Sequence, residues 1–600
     1  MADVIVVDNE DCIQLLKTNE VCYKVIELLI EAGANVNAAD DSYNTPLHKA
    51  CAGYYDSISV LLEDRLSMTT VGHDRCALLC TSYEICHRVI KSLIEAGANV
   101  NTADDASRTT LYITCERYYK LIKSLIHETV FVDNDDYTLL DQACKEYCKL
   151  IKLLIEAQAN VNAADDQHCT PLYIACREYY SIIELFIKKQ ADITTVDHKG
   201  CTPLFKVGEV CYKVIESLIK AEAHVNAAAR KRCTPLHVAC ERYYKVMELF
   251  CRKMADVIVV DNEDCIQLLK TNEVCYKVIE LLIEAGANVN AADDRYSTPL
   301  HKACAGYYDS ISVLLEDRLS MTTVGHDRCA LLCTSYEICH RVIKSLIKAG
   351  ANINAADSDY FTPLHFACAG YYQVLKMFIQ KLEDITAVNT DSIITAFFKA
   401  CESCCTVIEL FINANVDVNV VDNKNRTPLY LICEEYCKLI PSLVGKDAAH
   451  VNVVKNHHGA SVYAALVKKH LDMIQLLINA GADMNIANKF DRTPLHVLCA
   501  AGSFEHIELL IDHNIIINSS DENGNTPLHD SCALGYSKIV ELLIDHDANI
   551  QAVNKNGVTP LQVAIDGGHS EIVDLLLAVA LSKYNNTVNF HFEDFSCQIN

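Results

Sequence analysis

Thiols are the reactive groups this 600-residue chain supplies most generously, with 31 cysteines. Nucleophilic work by a thiol needs a lowered pKa and an oriented histidine. A zinc site needs four thiolate or imidazole ligands, usually arriving as two close pairs. The densest group is Cys401, Cys404 and Cys405, a C-x-x-C pair with no second pair at a suitable spacing, and Cys86 is followed directly by His87. Six histidines (His48, His237, His301, His365, His496 and His529) stand multiples of about 32 residues apart, whereas helical metal ligands recur at three or four. G-x-x-x-x-G-K-[ST], G-x-G-x-x-G and G-x-S-x-G motifs are all missing, and glycine is only 20 of 600. The expectation is therefore no catalytic residue, no metal and no cofactor.

What the cysteines and histidines share is a register. Eleven cysteines, Cys51 and Cys499 among them, lie six residues after a recurring threonine, and seven more, such as Cys169 and Cys233, lie just before it. The histidines close the tetrapeptide TPLH at Thr45, Thr234, Thr298, Thr362, Thr493 and Thr526. Degenerate forms begin at Thr109, Thr138, Thr170, Thr202, Thr427 and Thr559, and weaker copies occupy the slot at Ile13, Ala77, Ile266, Ala330, Thr395 and Ser461. Those 18 slots leave 17 intervals, of which 12 are 32 residues; the others are 33, 34 or 29. So strict a period marks a repeat architecture.

Each period predicts two helices. Thr-Pro opens the first, with proline in the first turn, where its missing N–H is harmless. Leu47, Ala50 and Cys51 have the spacing of one buried face. The second runs over 25–34, with Val25, Leu28 and Leu29 on one stripe and Gly33 placed to stop it in a left-handed conformation. A polar stretch, NVNAADDSYN, leads to the next Thr-Pro.

Two helices in about 33 residues, opened by TPLH, resemble the ankyrin repeat. The family's pattern is plainest at 521–548 and 554–577. The resemblance implies an all-α solenoid of helix-turn-helix units with β-hairpin finger loops, about 18 repeats over 1–581, followed by a tail over 582–600. It implies that the TPLH histidines hydrogen-bond between neighbouring repeats, that Cys86–His87 occupies a turn, and that cysteine replaces the family's small buried alanine. Equivalent positions in stacked repeats are about 8–10 Å apart, beyond the roughly 7 Å reach of a disulfide, so free thiols in a reducing compartment are expected.

Several departures stand out. The family's Gly-His between the helices survives at Gly568 and His569, with Gly502 and Gly535 also in the glycine slot. Upstream the slot holds Tyr-Tyr, at positions 54, 118, 179, 243, 307 and 371 and the residue after each. If a positive φ is still needed there, tyrosine costs on the order of 1 kcal/mol, unless the turn is rebuilt. Residues 1–105 match 254–358 with six differences, at 42, 44, 95, 100, 102 and 105, which reads as a block duplication. The first residue aligns late in a repeat, so a truncated start is expected. The 29-residue step predicts a kink near 126–137, and Pro441 in the 34-residue step predicts another near 441–460. The tail alternates Val588, Phe590 and Phe592, and fraying is expected of it.

The net charge of −27 disfavours nucleic acid and anionic lipid as partners. The first residues form no signal peptide, and the longest apolar run, 575–581, is far too short to cross a bilayer. A soluble, cytoplasmic monomer is expected. By resemblance, partner proteins bind the finger tips and the concave face of the first helices. Aromatic and basic residues, the types enriched in interface hot spots, single out Tyr43, Asn44, Arg230, Lys231, Arg232, Arg295, Tyr296, Tyr360, Phe361, Lys424, Arg426, Lys489 and Phe490. The expected role is a non-enzymatic scaffold or adaptor. The alternatives are a targeting subunit for an enzyme such as a ubiquitin ligase, or a membrane–cytoskeleton linker. The resemblance also makes Asn37 and Asn290 expected substrates for asparaginyl hydroxylation.

Overall fold

A computed structural model describes residues 9–53, 72–128, 145–176, 180–207, 212–241, 262–305, 340–382, 404–444 and 457–582, together with 402, leaving aside 146 and 514. The chain forms two compact units. One comprises Met1–Val238 with Glu280–Asn288; the other comprises Ala239–Ile279 with Val289–Asn600.

Helices dominate both units, and the finger loops are tight turns rather than strands. The one isolated β-bridge among the described residues pairs Ala103 with Thr109. Each finger closes on itself: in 40–44 the Asp40 N–H donates to the Asn44 carbonyl, and the Asp40 carboxylate accepts the Ser42 and Asn44 N–H groups. Among the described residues the first unit carries five fingers closed by this backbone pairing, at 40–44, 104–108, 165–169, 197–201 and 229–233. The second carries six among its described residues, at 293–297, 357–361, 422–426, 488–492, 521–525 and 554–558.

Near the C-terminus the repeats adopt the expected plan. Pro494–Ala501 and Phe504–Ile511 form one helix pair, and Pro527–Leu534 and Ser537–Asp545 the next. Thr493 and Thr526 cap the first helix of each pair reciprocally with His496 and His529. Gly502 and Gly535 end those helices at φ 74° and 79°, in the left-handed region that favours glycine.

In the first unit Pro171–Ala175 and Tyr180–Lys188, and Pro203–Lys206 and Tyr212–Lys220, are likewise separate helices, whereas in three described repeats the two helices run together. Those three correct the expected uniform helix-turn-helix plan. Thr110–Glu128, Pro363–Leu382 and Pro428–Val444 each run unbroken through the glycine slot. Tyr118, Tyr371 and Tyr436 occupy it, buried and without positive φ. The Tyr-Tyr copies at 54, 179, 243 and 307 lie outside the described residues. Several weak slots are likewise absorbed into long helices: Asn9–Glu31 contains Ile13, Gly72–Glu95 contains Ala77, Asn262–Glu284 contains Ile266, and His457–Asn479 contains Ser461. None of these slots has the Thr-Pro start, and no left-handed glycine divides the two expected helices, so they run together as one. The Pro428–Val444 helix passes through Pro441; the rest of that expected kink, 445–456, the other, 129–137, and the tail from 583 are outside the described residues.

Candidate protein-binding surface

The fingers form a continuous backbone ladder within each unit. In the first, Asp105 N–H donates to Ser42 O, Asp166 to Ala106 O, His198 to Gln167 O and Arg230 to Lys199 O, at 2.8–3.2 Å. In the second, Ser358 donates to Arg295 O, Asn423 to Asp359 O, Lys489 to Lys424 O, Glu522 to Phe490 O and Lys555 to Asn523 O. Several rungs join fingers two sequence periods apart; between 42 and 105 and between 424 and 489 the intervening slot, Ala77 or Ser461, lies in a long helix.

Three further contacts lock the ladder. The TPLH histidines reach the next finger: His48 Nε2 donates to Arg108 O, His301 to Phe361 O, His365 to Arg426 O, His496 to Asn525 O and His529 to Val558 O. Where tyrosine replaces histidine, the phenol does the same job. Tyr112 donates to Asp165, Tyr173 to Asp197, and Tyr430 accepts from Asn488 Nδ2. At the finger base, asparagines bridge neighbouring loops: Asn37 Nδ2 donates to Gly97 O while its Oδ1 accepts the Asn99 N–H. Asn290 makes the matching bonds to Gly350 and Asn352. Both asparagines are exposed. These links were implied for histidine only; the tyrosine and asparagine versions carry no motif beyond their register.

On this frame the tips diverge. Tyr43, Tyr296 and Tyr360 are exposed by 65%, 60% and 63%, each at a left-handed φ of 59–63°. A β-carbon there costs roughly 1 kcal/mol, which the turn's own hydrogen bonds offset. Arg230, Lys231, Arg232, Arg295, Lys424, Lys489 and Phe490 are exposed too, with Lys489 Nζ 4.8 Å above the Phe490 ring. Asn44 is half-buried and serves the turn through its backbone.

Two residues expected at the surface are placed otherwise. Phe361 is half-buried, its ring 5.5 Å from that of His365 and 5.7 Å from Phe366. Arg426 is 7% exposed and bound to Asp422 at 2.7 Å and Glu434 at 2.6 Å. Burial pushes the Asp422 carboxyl up, but the Arg426 side chain and backbone outweigh it and hold the group below its usual range. Removing Arg426 would strand a buried carboxylate, so its part is structural.

Many of the described thiols are buried and held protonated. Burial pushes Cys51, Cys433, Cys499 and Cys532 up to about 12, and Cys86 and Cys405 to about 11. A protonated buried thiol is a small core residue, not a nucleophile. Among the described residues no group of three or more histidine, cysteine or acidic side chains could hold a metal; Cys401 lies outside them. No described helix is long and apolar enough to cross a membrane.

Helix pairs, capped Thr-Pro starts and a hydrogen-bonded finger row define a repeat protein of the ankyrin class. Ankyrin-repeat family models match residues 78–165, 172–261, 359–390, 461–554 and 532–577, together more than half of the chain. The chain belongs to the ankyrin-repeat family. A search of curated proteins found no match.

Proposed function

We propose that the chain is a non-enzymatic scaffold or adaptor that binds partner proteins through its finger tips and the adjoining first helices. Ankyrin repeats are protein-interaction modules, and one observation carries the finer reading. Tyr43, Tyr296 and Tyr360 present large rings to solvent from strained positions on a locked ladder. Strain kept at an exposed site points to a use for the side chain, and rigid aromatic anchors lose little entropy on binding. The working form is a monomer in a reducing, cytoplasmic setting, a reading supported by the buried free thiols. A net charge of −27 disfavours nucleic acid as partner.

Affinity capture with the intact chain, beside a Tyr43→Ser, Tyr296→Ser, Tyr360→Ser variant of unchanged circular dichroism, tests the proposal. Partners lost from the folded variant support it. An identical set of partners on both chains would refute tip recognition and move the interface to the helices or the tail.

A further inference from the structure

Three successive fingers of the first unit, 165–169, 197–201 and 229–233, change in charge along the row: the first holds Asp165 and Asp166, the second Asp197 with Lys199, and the third Arg230, Lys231 and Arg232. They are spaced at single periods, and backbone hydrogen bonds from His198 to Gln167 and from Arg230 to Lys199 fix their order. A β-carbon on Gly200 would lie 3.6 Å from the Ala229 Cα, so the last two fingers back closely onto one another. Lys199, Arg230, Lys231 and Arg232 are all exposed, and no ion pair engages any of the four among the described residues.

The third finger has also lost its own negative charge. Every other described finger begins with an aspartate or asparagine whose side-chain oxygen accepts turn N–H groups, as Asp197 does from Lys199 and Cys201. Here the position is Ala229, with no such acceptor. The turn keeps only the backbone bonds that the other fingers also make, Arg232 N–H to Ala229 O among them, with Lys231 and Arg232 both left-handed, at φ 66° and 56°. Two adjacent left-handed side chains and a missing turn acceptor all disfavour the fold locally. A local rule broken without structural gain marks a functional position. Asp197 is buried, bonded to the Tyr173 hydroxyl and to the Lys199 and Cys201 N–H groups.

We infer that Lys199 and Arg230–Arg232 form a docking site for an extended acidic peptide segment. Arginine pairs carboxylates in bidentate fashion, and lysine adds point charge. Fingers stack at roughly the 8–10 Å of packed helices, and an extended chain rises about 3.3 Å per residue. Carboxylates three residues apart therefore meet successive fingers. A long polyanion would meet the repulsion of the rest of the molecule, whereas a short acidic segment meets only the cationic row. The inference rests on the scaffold reading and names one ligand chemistry for it.

The test is fluorescence anisotropy with the full chain and a labelled twelve-residue peptide carrying aspartate at every third position among serine and glycine. A peptide of the same composition with its aspartates contiguous and a single-stranded twelve-nucleotide DNA complete the set. The periodic peptide should bind best and weaken as salt rises. The variant Lys199→Glu, Lys231→Glu, Arg232→Glu, with an unchanged melting curve, should lose at least tenfold in affinity. Equal binding to that variant, or no binding by the intact chain, overturns the inference, as does tighter binding of the DNA. If the peptide fails while partners captured through Tyr43, Tyr296 and Tyr360 persist, only this inference falls. If both fail, the scaffold reading falls with it.

Discussion

Two stretches of the second unit solve the same sequence slot in opposite ways. Nine residues after the repeat threonine, Gly502 and Gly535 adopt φ 74° and 79° and turn the chain into a second helix. Their backbones are pressed against rings: a β-carbon would sit 2.8 Å from Tyr536 at Gly502 and 2.6 Å from His569 at Gly535. In the helices Pro363–Leu382 and Pro428–Val444 the same position holds Tyr371 and Tyr436, and each is about 1% exposed. Tyr436 stacks on His470 with centroids 4.0 Å apart. Glycine makes the turn possible by having no side chain, whereas tyrosine removes the turn and fills the space the rebuilt packing leaves. In these repeats of the second unit the slot thus takes two forms, a turn at glycine and a continuous helix at tyrosine.

The largest expected effect comes from putting glycine where the helix is continuous. Tyr371→Gly deletes a fully buried ring and adds a mid-helix glycine, about 4–5 kcal/mol together. Chemical denaturation monitored by circular dichroism should show it as an early loss of the surrounding helices. If the change instead proves mild because a turn re-forms, the two forms are nearly degenerate and the comparison loses its force. The converse change is Gly502→Ala, which combines a left-handed β-carbon with the Tyr536 clash and should cost roughly 2–3 kcal/mol.

Acid separates the regions next. His470 and His506 are buried together, His470 Nδ1 lying 2.8 Å from His506 Nε2 and His470 Nε2 3.3 Å from Ile432 O. If Ile432 receives the His470 proton, His506 donates to His470, and its own Nδ1 is left buried without a partner. Tyr371, Tyr436 and the second histidine surround the His470 ring. Burial lowers His470 well below 6.5, and lowers His506 and His496 to about 4. The unfolded chain thus binds more protons below about 6.5, so stability present above that pH is lost as pH falls towards 4. At pH 5 His506 alone accounts for roughly 2 kcal/mol. Asp530, pushed up to about 6 by burial, takes up a proton over the same range and offsets part of this. Hydrogen exchange at pH 7 and pH 5 should show faster opening of His457–Asn479 and Phe504–Ile511, and His506→Gln should blunt the difference. Equal protection factors at both pH values, after division by the intrinsic exchange rates, would remove the histidine pair from the explanation.

How much of this was readable beforehand depended on punctuation. Thr-Pro starts, the TPLH histidines and the stop at Gly33 come from local rules, and the structure has them where the sequence placed them. The Tyr-Tyr slots were visible as departures, but their outcome was not, because helix continuity depends on what packs against Tyr118, Tyr371 and Tyr436. The skipped rungs were hidden by the period itself: Ile13 and Ala77 keep the spacing while lacking the proline and glycine that would break a helix. Among the tips, exposure of Tyr43, Tyr296 and Tyr360 was legible from turn position. Burial of Arg426 was not, since it depends on Glu434 eight residues away. The cationic row needed the fold, because only the ladder brings Lys199 beside Arg230.

The smallest expected effect carries the opposite sign and sharpens the comparison furthest. Tyr360 sits at φ 63° on an exposed tip, eleven residues before the buried Tyr371. In Tyr360→Gly the strain is released, roughly 1 kcal/mol, while the greater freedom of glycine in the unfolded chain takes back about 0.4–1 kcal/mol. The melting temperature should stay level or rise slightly, because the turn's bonds from Asp357 use backbone groups that glycine keeps. Partner capture should nevertheless fall. One substitution, tyrosine to glycine, would then break the fold at one position and only the binding at the other. A clear loss of stability from Tyr360→Gly would mean that its ring supports the finger, and the case for that tip as a recognition residue would go.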